Sequence, residues 1–267
     1  MAERPSPPTS PWLRQFTPAP DAPVRLVCFP HAGGSAAFYA MLAHALNPTV
    51  DTFAVQSPGR LERWHEPFPE SIAQVAETVA AEIAASLDRP TALFGHSMGS
   101  VVAFEVARRL EAAQCPPTWL FISGRAAPST QPREFTHLLD DPSLLAEMQK
   151  LGGTDRRLLD DHELMQLLLP VIRADYRILA GYRFASGPLL SCPVTALNGQ
   201  ADPRVTPQTA SAWAEHTTGP FRSLRLRGGH FYLVDRVPEV AAVVHGCLAA
   251  PKSGPGGPPT TTAQLRT

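Results

Sequence analysis

The sequence is short of cysteine, of excess charge and of long apolar runs. Its four cysteines, Cys28, Cys115, Cys192 and Cys247, are scattered, and no C-x-x-C pair occurs. That spacing argues against a zinc site and against a disulfide framework; buried free thiols in a reducing compartment are the plain expectation. The formal net charge is -1, so overall charge draws the chain neither to nucleic acid nor to an anionic membrane. No apolar run approaches the roughly 18 residues of a spanning helix. The opening "MAERPSPPTSPW" has no apolar stretch of the kind a secretory signal carries. These absences lead to the expectation of a cytoplasmic protein with no metal, no membrane association and no nucleic-acid partner.

What is present suits a sizeable core. Hydrophobic residues make up 44% of 267 and charged residues 18%, enough for one large α/β domain or two small ones. Prolines cluster at both ends, so the stretch to about Pro23 and the tail 251–267 are expected to be poorly ordered. Between them, strand-like runs alternate with helical patterns. The runs are Val24 to Phe29, Thr52 to Val55, Thr91 to Phe94, Thr118 to Ser123, Pro193 to Asn198 and Phe221 to Leu226. All but the last are apolar without alternation, as in strands covered on both faces.

Helical spacing joins Ile72, Val75, Ala76, Val79, Ile83 and Leu87, with Ser71 and Gln74 as a capping box. A helix follows Ser97. Thr206 and Pro207 read as an N-cap and first-turn proline, and Val237 to Leu248 forms a last helix. Strands alternating with helices predict an α/β fold, a mostly parallel sheet wound on both sides.

Residues 128–187 break this rhythm. They carry helical patterns and no clear strand, more than a crossover needs. Extra packing is one reading. The other is a lid over the C-terminal edge of the sheet. Leu164, Leu167, Leu168, Leu169 and Ile172 spread over more than one helical face, so surplus apolar surface could line an acyl channel. Pro170 is expected to kink that helix.

"GHSMG", Gly95 to Gly99, matches the nucleophile elbow G-x-S-x-G. Such a serine must sit on a tight strand-to-helix turn, and small neighbours let strand and helix approach. Its hydroxyl then projects above the sheet at a helix N-terminus. Five matching residues are a weak signal alone; the apolar run before Ser97 and the amphipathic helix after it are the confirming context.

A nucleophilic serine needs a base, and the base needs an orienting carboxylate, in the chain order serine, acid, histidine for this kind of site. Among nine histidines, four precede Ser97, His31 and His96 among them. His137 and His162 lie in the helical segment, and His216 and His245 belong to helices. His230 remains, after the last strand and behind Gly228 and Gly229. Asp202 lies just past the preceding strand, where such sites assemble, although Asp-Pro is also a turn former. Asp235 is too close to His230 in sequence, and Asp51 precedes the serine. Backbone N–H groups of Met98 and Ala32 are the expected oxyanion donors, Ala32 because "FPHAGGSAAFY" is a Gly-rich loop directly after a strand. A phosphate cradle is the competing reading of those glycines, but neither G-x-G-x-x-G nor a P-loop lysine is present.

With these residues located, the chain resembles the type II thioesterases, stand-alone α/β-hydrolases that accompany modular polyketide synthases and nonribosomal peptide synthetases. The resemblance runs from about Trp12 to Ala249 and rests on "FPHAGGSAAFY", "PGRLERWHEP", "FGHSMGSVVAFEVAR", "NGQADPRVTP" and "GGHFYL". It implies a single α/β-hydrolase domain with a helical lid at 128–187. It also implies a substrate: an acyl thioester on the phosphopantetheine arm of an acyl carrier protein, with stalled or aberrant groups removed. No soluble cofactor is implied. Arg60 and Arg63 either dock an acidic carrier or hold their own loop. The rival functions are an esterase or acyltransferase acting on free small molecules, and a catalytically idle fold serving as a binding module.

Overall fold

The computed structural model describes residues 10–130, 136–152 and 162–249. Among the described residues, seven strands form one sheet: β1 (Leu13–Gln15), β2 (Val24–Phe29), β3 (Val50–Val55), β4 (Thr91–His96), β5 (Leu120–Ser123), β6 (Val194–Gly199) and β7 (Phe221–Leu226), in the order β1-β3-β2-β4-β5-β6-β7. All neighbours pair in parallel except β1, which runs antiparallel to β3. The helices are α1 (Ala40–Leu46), α2 (Ile72–Ala85), α3 (Met98–Ala112), α4 (Asp141–Leu151), α5 (His162–Gly181), α6 (Pro207–Ser211), α7 (Tyr232–Asp235) and α8 (Val237–Ala249).

The unalternating strands have a direct cause. Within β2, Val27 and Phe29 join one core with α2, α3 and α5, while Leu26 and Cys28 join a second core with α1 and α8. Consecutive side chains point to opposite faces, and both faces are covered. Strand β7, at the sheet edge, is only partly covered along most of its length, which matches its mixed composition. Cys28, Cys192 and Cys247 are buried free thiols as expected; Cys115 is only half-buried.

Several details depart from the sequence reading. The stretch before Pro23 is not featureless: Leu13, Arg14 and Gln15 pair with Val55, Ala54 and Phe53. Three residues with no apolar alternation carry no strand signal of their own, and the edge of β3 supplies the pairing. At the start of α2, the Ser71 hydroxyl accepts from Gln74 N at 3.1 Å, but the Gln74 side chain accepts from Glu70 N, not from Ser71. Only half of the capping box forms. Within 128–187, the described residues contain helices and no strand. Helix α5 runs through Pro170, with the proline on the exposed side. There water can satisfy the carbonyl that lacks its N–H partner. The tail from residue 250 lies outside the described residues. Among the described residues no helix is long and apolar enough to cross a membrane.

Because Ser71 supplies the one side-chain cap to the first turn of α2, Ser71→Ala is expected to lower stability by about 1 kcal/mol, read as a lower urea midpoint at unchanged slope.

Candidate active site

Strand β4 ends at His96 and α3 begins at Met98, so Ser97 alone makes the corner. Its backbone is at φ 55°, ψ -117°, in the left-handed region that a side chain makes costly. Close approach on either side forces it. A Cβ on Gly95 would lie 2.3 Å from Gly99 O, and one on Gly99 would lie 2.0 Å from Phe29 O and 2.6 Å from Pro30 O. Ser97 N–H donates to Ser123 O at 2.8 Å, and the Ser100 hydroxyl donates to Gly95 O at 2.8 Å and to Ser123 O at 3.0 Å. The corner is thus bound to β2 on one side and β5 on the other.

The structure joins His230 and Asp202. Nδ1–H of His230 donates to Asp202 Oδ2 at 2.9 Å, and both side chains are almost fully buried, 2% and 0% exposed. A carboxylate can only accept, which puts the proton on Nδ1 and leaves Nε2 as the basic nitrogen. Asp202 Oδ1 also accepts from Arg204 N at 2.9 Å, so the turn-forming role coexists with the histidine contact. His230 reaches the elbow: a Cβ on Gly124, directly after Ser123, would lie 3.3 Å from His230 Cε1, and the ring centroids of His96 and His230 are 5.1 Å apart. Among the described residues, the hydrogen bond of the His230 ring is to Asp202 and not to Ser97. Bonds of a base to its nucleophile commonly tighten only when substrate is present.

Of the two expected oxyanion donors, Met98 N–H is the first amide of α3, where the helix leaves its donors without partners and its dipole favours negative charge. Ala32 lies in the turn after β2, closed by Gly34 N–H donating to His31 O at 2.9 Å. The contact of Gly99 with Phe29 and Pro30 brings the start of α3 against the root of that turn.

The remaining histidines sort by geometry. His31 and His96, set aside as bases, nonetheless pack around the site. His31 contacts Phe38, Phe231 and His96 edge-on. Burial first, then the charge of His230 and of Arg60, push His31 down to about 3. Burial first, then His230 and His31, hold His96 well below the usual histidine range. Both are therefore neutral near pH 7. His96 Nδ1 lies 2.9 Å from Ser123 Oγ, itself 2.7 Å from Tyr232 Oη. His216 packs against Phe104, Phe184 and Trp213, and His245 bonds Thr49 at the surface. The side chains of His137 and His162 lie outside the described residues. Asp51 sits at the opposite end of the sheet beside Arg25 and Arg89, and Asp235 is exposed.

Arg60 and Arg63 are 7% and 6% exposed, which removes them as docking groups. Arg63 donates to Gln56 O and pairs with Glu66, holding its own loop. Arg60 reaches further, to Asp175 on α5 and to Gly34 O beside Ala32. Asp175 escaped the sequence reading because its partners lie 115 and 142 residues away. Its apolar neighbours on α5 were the only visible signal.

A cavity of about 580 Å³ lies between the C-terminal half of α3 and residues 188–190. Its nearest α3 residue, Glu105, is about two helical turns beyond Ser97, so the cavity does not open on the elbow. A cleft of about 440 Å³ between Phe68 and one side of α5 lies on the insertion itself.

Two outcomes are expected from this geometry. A Cβ at residue 99 would meet backbone that cannot swing aside, so Gly99→Ala should lose about 1–3 kcal/mol of stability, measured by urea denaturation. For His31 and His96 the folded chain binds its proton only well below the unfolded value near 6.5. Each histidine therefore costs stability as pH falls below the unfolded value, because the unfolded chain takes up the proton first. The urea midpoint should drop from pH 7 to pH 5, by less in His96→Asn.

Comparison with known proteins places this geometry in a family. Residues 24–248 match the family described as "Thioesterase domain". The chain is 43% identical over 256 residues to thioesterase PikA5 of Streptomyces venezuelae, covering 94% of this chain and 91% of that protein. It is 41% identical to a probable cadicidin biosynthesis thioesterase of Streptomyces griseus, over 90% of this chain and 68% of that one. Among solved structures, the type II thioesterase BorB from the borrelidin biosynthetic cluster superposes with a TM-score of 0.83 at 46% identity, covering 89% of this chain and 97% of that one. A corner serine, a mostly parallel sheet and this degree of likeness lead to one conclusion: the chain belongs to the thioesterase family, as a type II thioesterase of the α/β-hydrolase fold.

Proposed function

We propose that this thioesterase works through Ser97, His230 and Asp202, with Ala32 and Met98 amides as the oxyanion hole. The observation that carries the reading is the buried His230–Asp202 pair beside a serine held at positive φ on the end of β4. Ser97 Oγ attacks the thioester carbonyl carbon as His230 Nε2 takes its proton. The carbonyl π electrons move to oxygen, where two N–H groups meet the developing charge. Collapse expels the thiolate, which receives the proton from His230, leaving an acyl ester on Ser97. Water, deprotonated by the same nitrogen, repeats the sequence and releases a free acid. Asp202 holds the Nδ1–H tautomer throughout and stabilises the transient imidazolium. The steps call on no metal and no soluble cofactor.

The substrate we infer is an acyl group on the phosphopantetheine arm of a carrier protein of a polyketide synthase or nonribosomal peptide synthetase, in the cytoplasm. Removal of stalled or aberrant groups is the role that fits a stand-alone enzyme. Support comes from relatives whose names tie them to borrelidin and cadicidin biosynthesis. The helices of 128–187 serve here as a lid: Ile172 and Ile178 of α5 belong to the core that also contains Met98, beside the reacting serine.

Ser97→Ala should reduce hydrolysis of a loaded carrier by about 10⁴-fold or more with an unchanged circular dichroism spectrum. Loss of fluorophosphonate labelling in that variant checks the nucleophile. A panel of acyl-loaded carriers, followed by mass spectrometry and set against simple soluble esters, checks the substrate. Faster turnover of the soluble esters would select the free-ester alternative.

A further inference from the structure

The loop carrying Ala32 has little of its own to hold it. Beyond the His31–Gly34 turn, its peptide groups are fastened by side chains from two distant elements. Gly33 N–H donates to Asp175 Oδ2 at 2.7 Å, and Gly34 O accepts from Arg60 Nη1 at 2.9 Å. The two anchors are themselves joined: Arg60 Nη1 and Nη2 donate to Asp175 Oδ2 and Oδ1 at 2.8 and 2.9 Å, a two-pronged pair. Asp175 is 2% exposed and Arg60 7%. Gln56 completes the frame, accepting from Ala36 N at 2.9 Å and donating to Arg60 O at 3.3 Å.

The placement of Asp175 matters most. It lies on α5, within the helical insertion, and Ile172 one turn earlier occupies the space a Gly33 side chain would need, 2.5 Å from the Cβ position. Gly33 is at φ +79°, a conformation open to glycine at the third position of the His31–Gly34 turn, and the Asp175 and Arg60 contacts fasten that turn from outside. The Gly33 N–H belongs to the peptide directly after Ala32. Peptide units are rigid, so two dihedrals at Ala32 are all that separate this fastened plane from the Ala32 N–H.

Resting on the proposed role of Ala32, we infer that Asp175 is a positioning residue. Its carboxylate, held by Arg60, fixes the Gly33 peptide and so aims the Ala32 amide, and the oxyanion hole is complete only while α5 is seated on the Gly33 turn. Lifting α5 breaks the charge-assisted hydrogen bonds of Asp175 to Gly33 N–H and to Arg60, so the seating of α5 and the ordering of the hole are coupled. Acyl transfer to Ser97 is thereby confined to the state with α5 down.

The test separates positioning from mere support of the fold. In Asp175→Ala, kcat on an acyl-loaded carrier should fall about 10- to 100-fold, somewhat less than the about 10²–10³ lost with a whole donor, with KM changed less than about threefold. Asp175→Asn, of the same shape and able to accept from Gly33, should lie between it and the wild type. The double variant Arg60→Met with Asp175→Leu removes both charges. It should recover thermal stability, since an apolar pair leaves no buried charge alone, yet kcat should stay low. Hydrogen exchange at the Gly33 amide should quicken in the alanine and double variants. Recovery of kcat together with stability in the double variant would show Asp175 to be structural only. Unchanged kcat in a folded Asp175→Asn and Asp175→Ala pair would also overturn the inference. An inactive wild type with no fluorophosphonate adduct on Ser97 would instead defeat the catalytic reading on which it rests.

Discussion

Everything at the active edge hangs from the one-residue corner at Ser97. A serine at positive φ costs about 1–3 kcal/mol, and the surrounding structure over-determines it. The strand before it is locked between β2 and β5. The helix after it touches the carbonyls of Phe29 and Pro30, a contact only a residue without a side chain allows. The strain is stored where it sets three things at once: the direction of the hydroxyl, the exposure of the first α3 amide, and the closeness of the loop after β2.

Burial then sharpens the chemistry. Asp202 and His230 share a hydrogen bond away from water, where an oriented dipole is worth more than at the surface. His31 and His96 crowd the same edge, but desolvation keeps them neutral, so they pack as aromatic rings around His230 without competing as charged acids. Burial acts likewise on the thiols: it raises Cys28 and pushes Cys192 up to about 12, which makes both poor nucleophiles.

The site therefore has two supports of different kind. The sheet carries Ser97, Asp202 and His230 on the ends of strands and the loops that follow them, rigid positions set by backbone pairing. The loop after β2 is fastened by side chains, through Arg60 and Asp175. One support is made by the parallel sheet alone. The other exists only with the helical insertion in place.

Much of this was legible in the order of residues. Covered strands need apolar residues on both faces, so β2 through β6 stand out as unbroken runs. A tight strand-to-helix corner needs small residues at fixed offsets, so Gly95, Ser97 and Gly99 announce themselves. The expected chain order of nucleophile, acid and base, with a place in a loop after a strand, singles out His230 as the candidate base. What the linear pattern could not carry is pairing between distant groups. Strand β1 exists because β3 has an open edge, and Gln74 serves Glu70 because of the local path of the backbone. The buried Arg60–Asp175 pair spans 115 residues; in the sequence Arg60 could equally have faced a partner protein. Local spacing records what one element requires of itself, and so it determined the elements and singled out the candidate residues Ser97, Asp202 and His230. Which buried charge meets which is decided by desolvation in the packed interior, and only the tertiary structure brings those groups together.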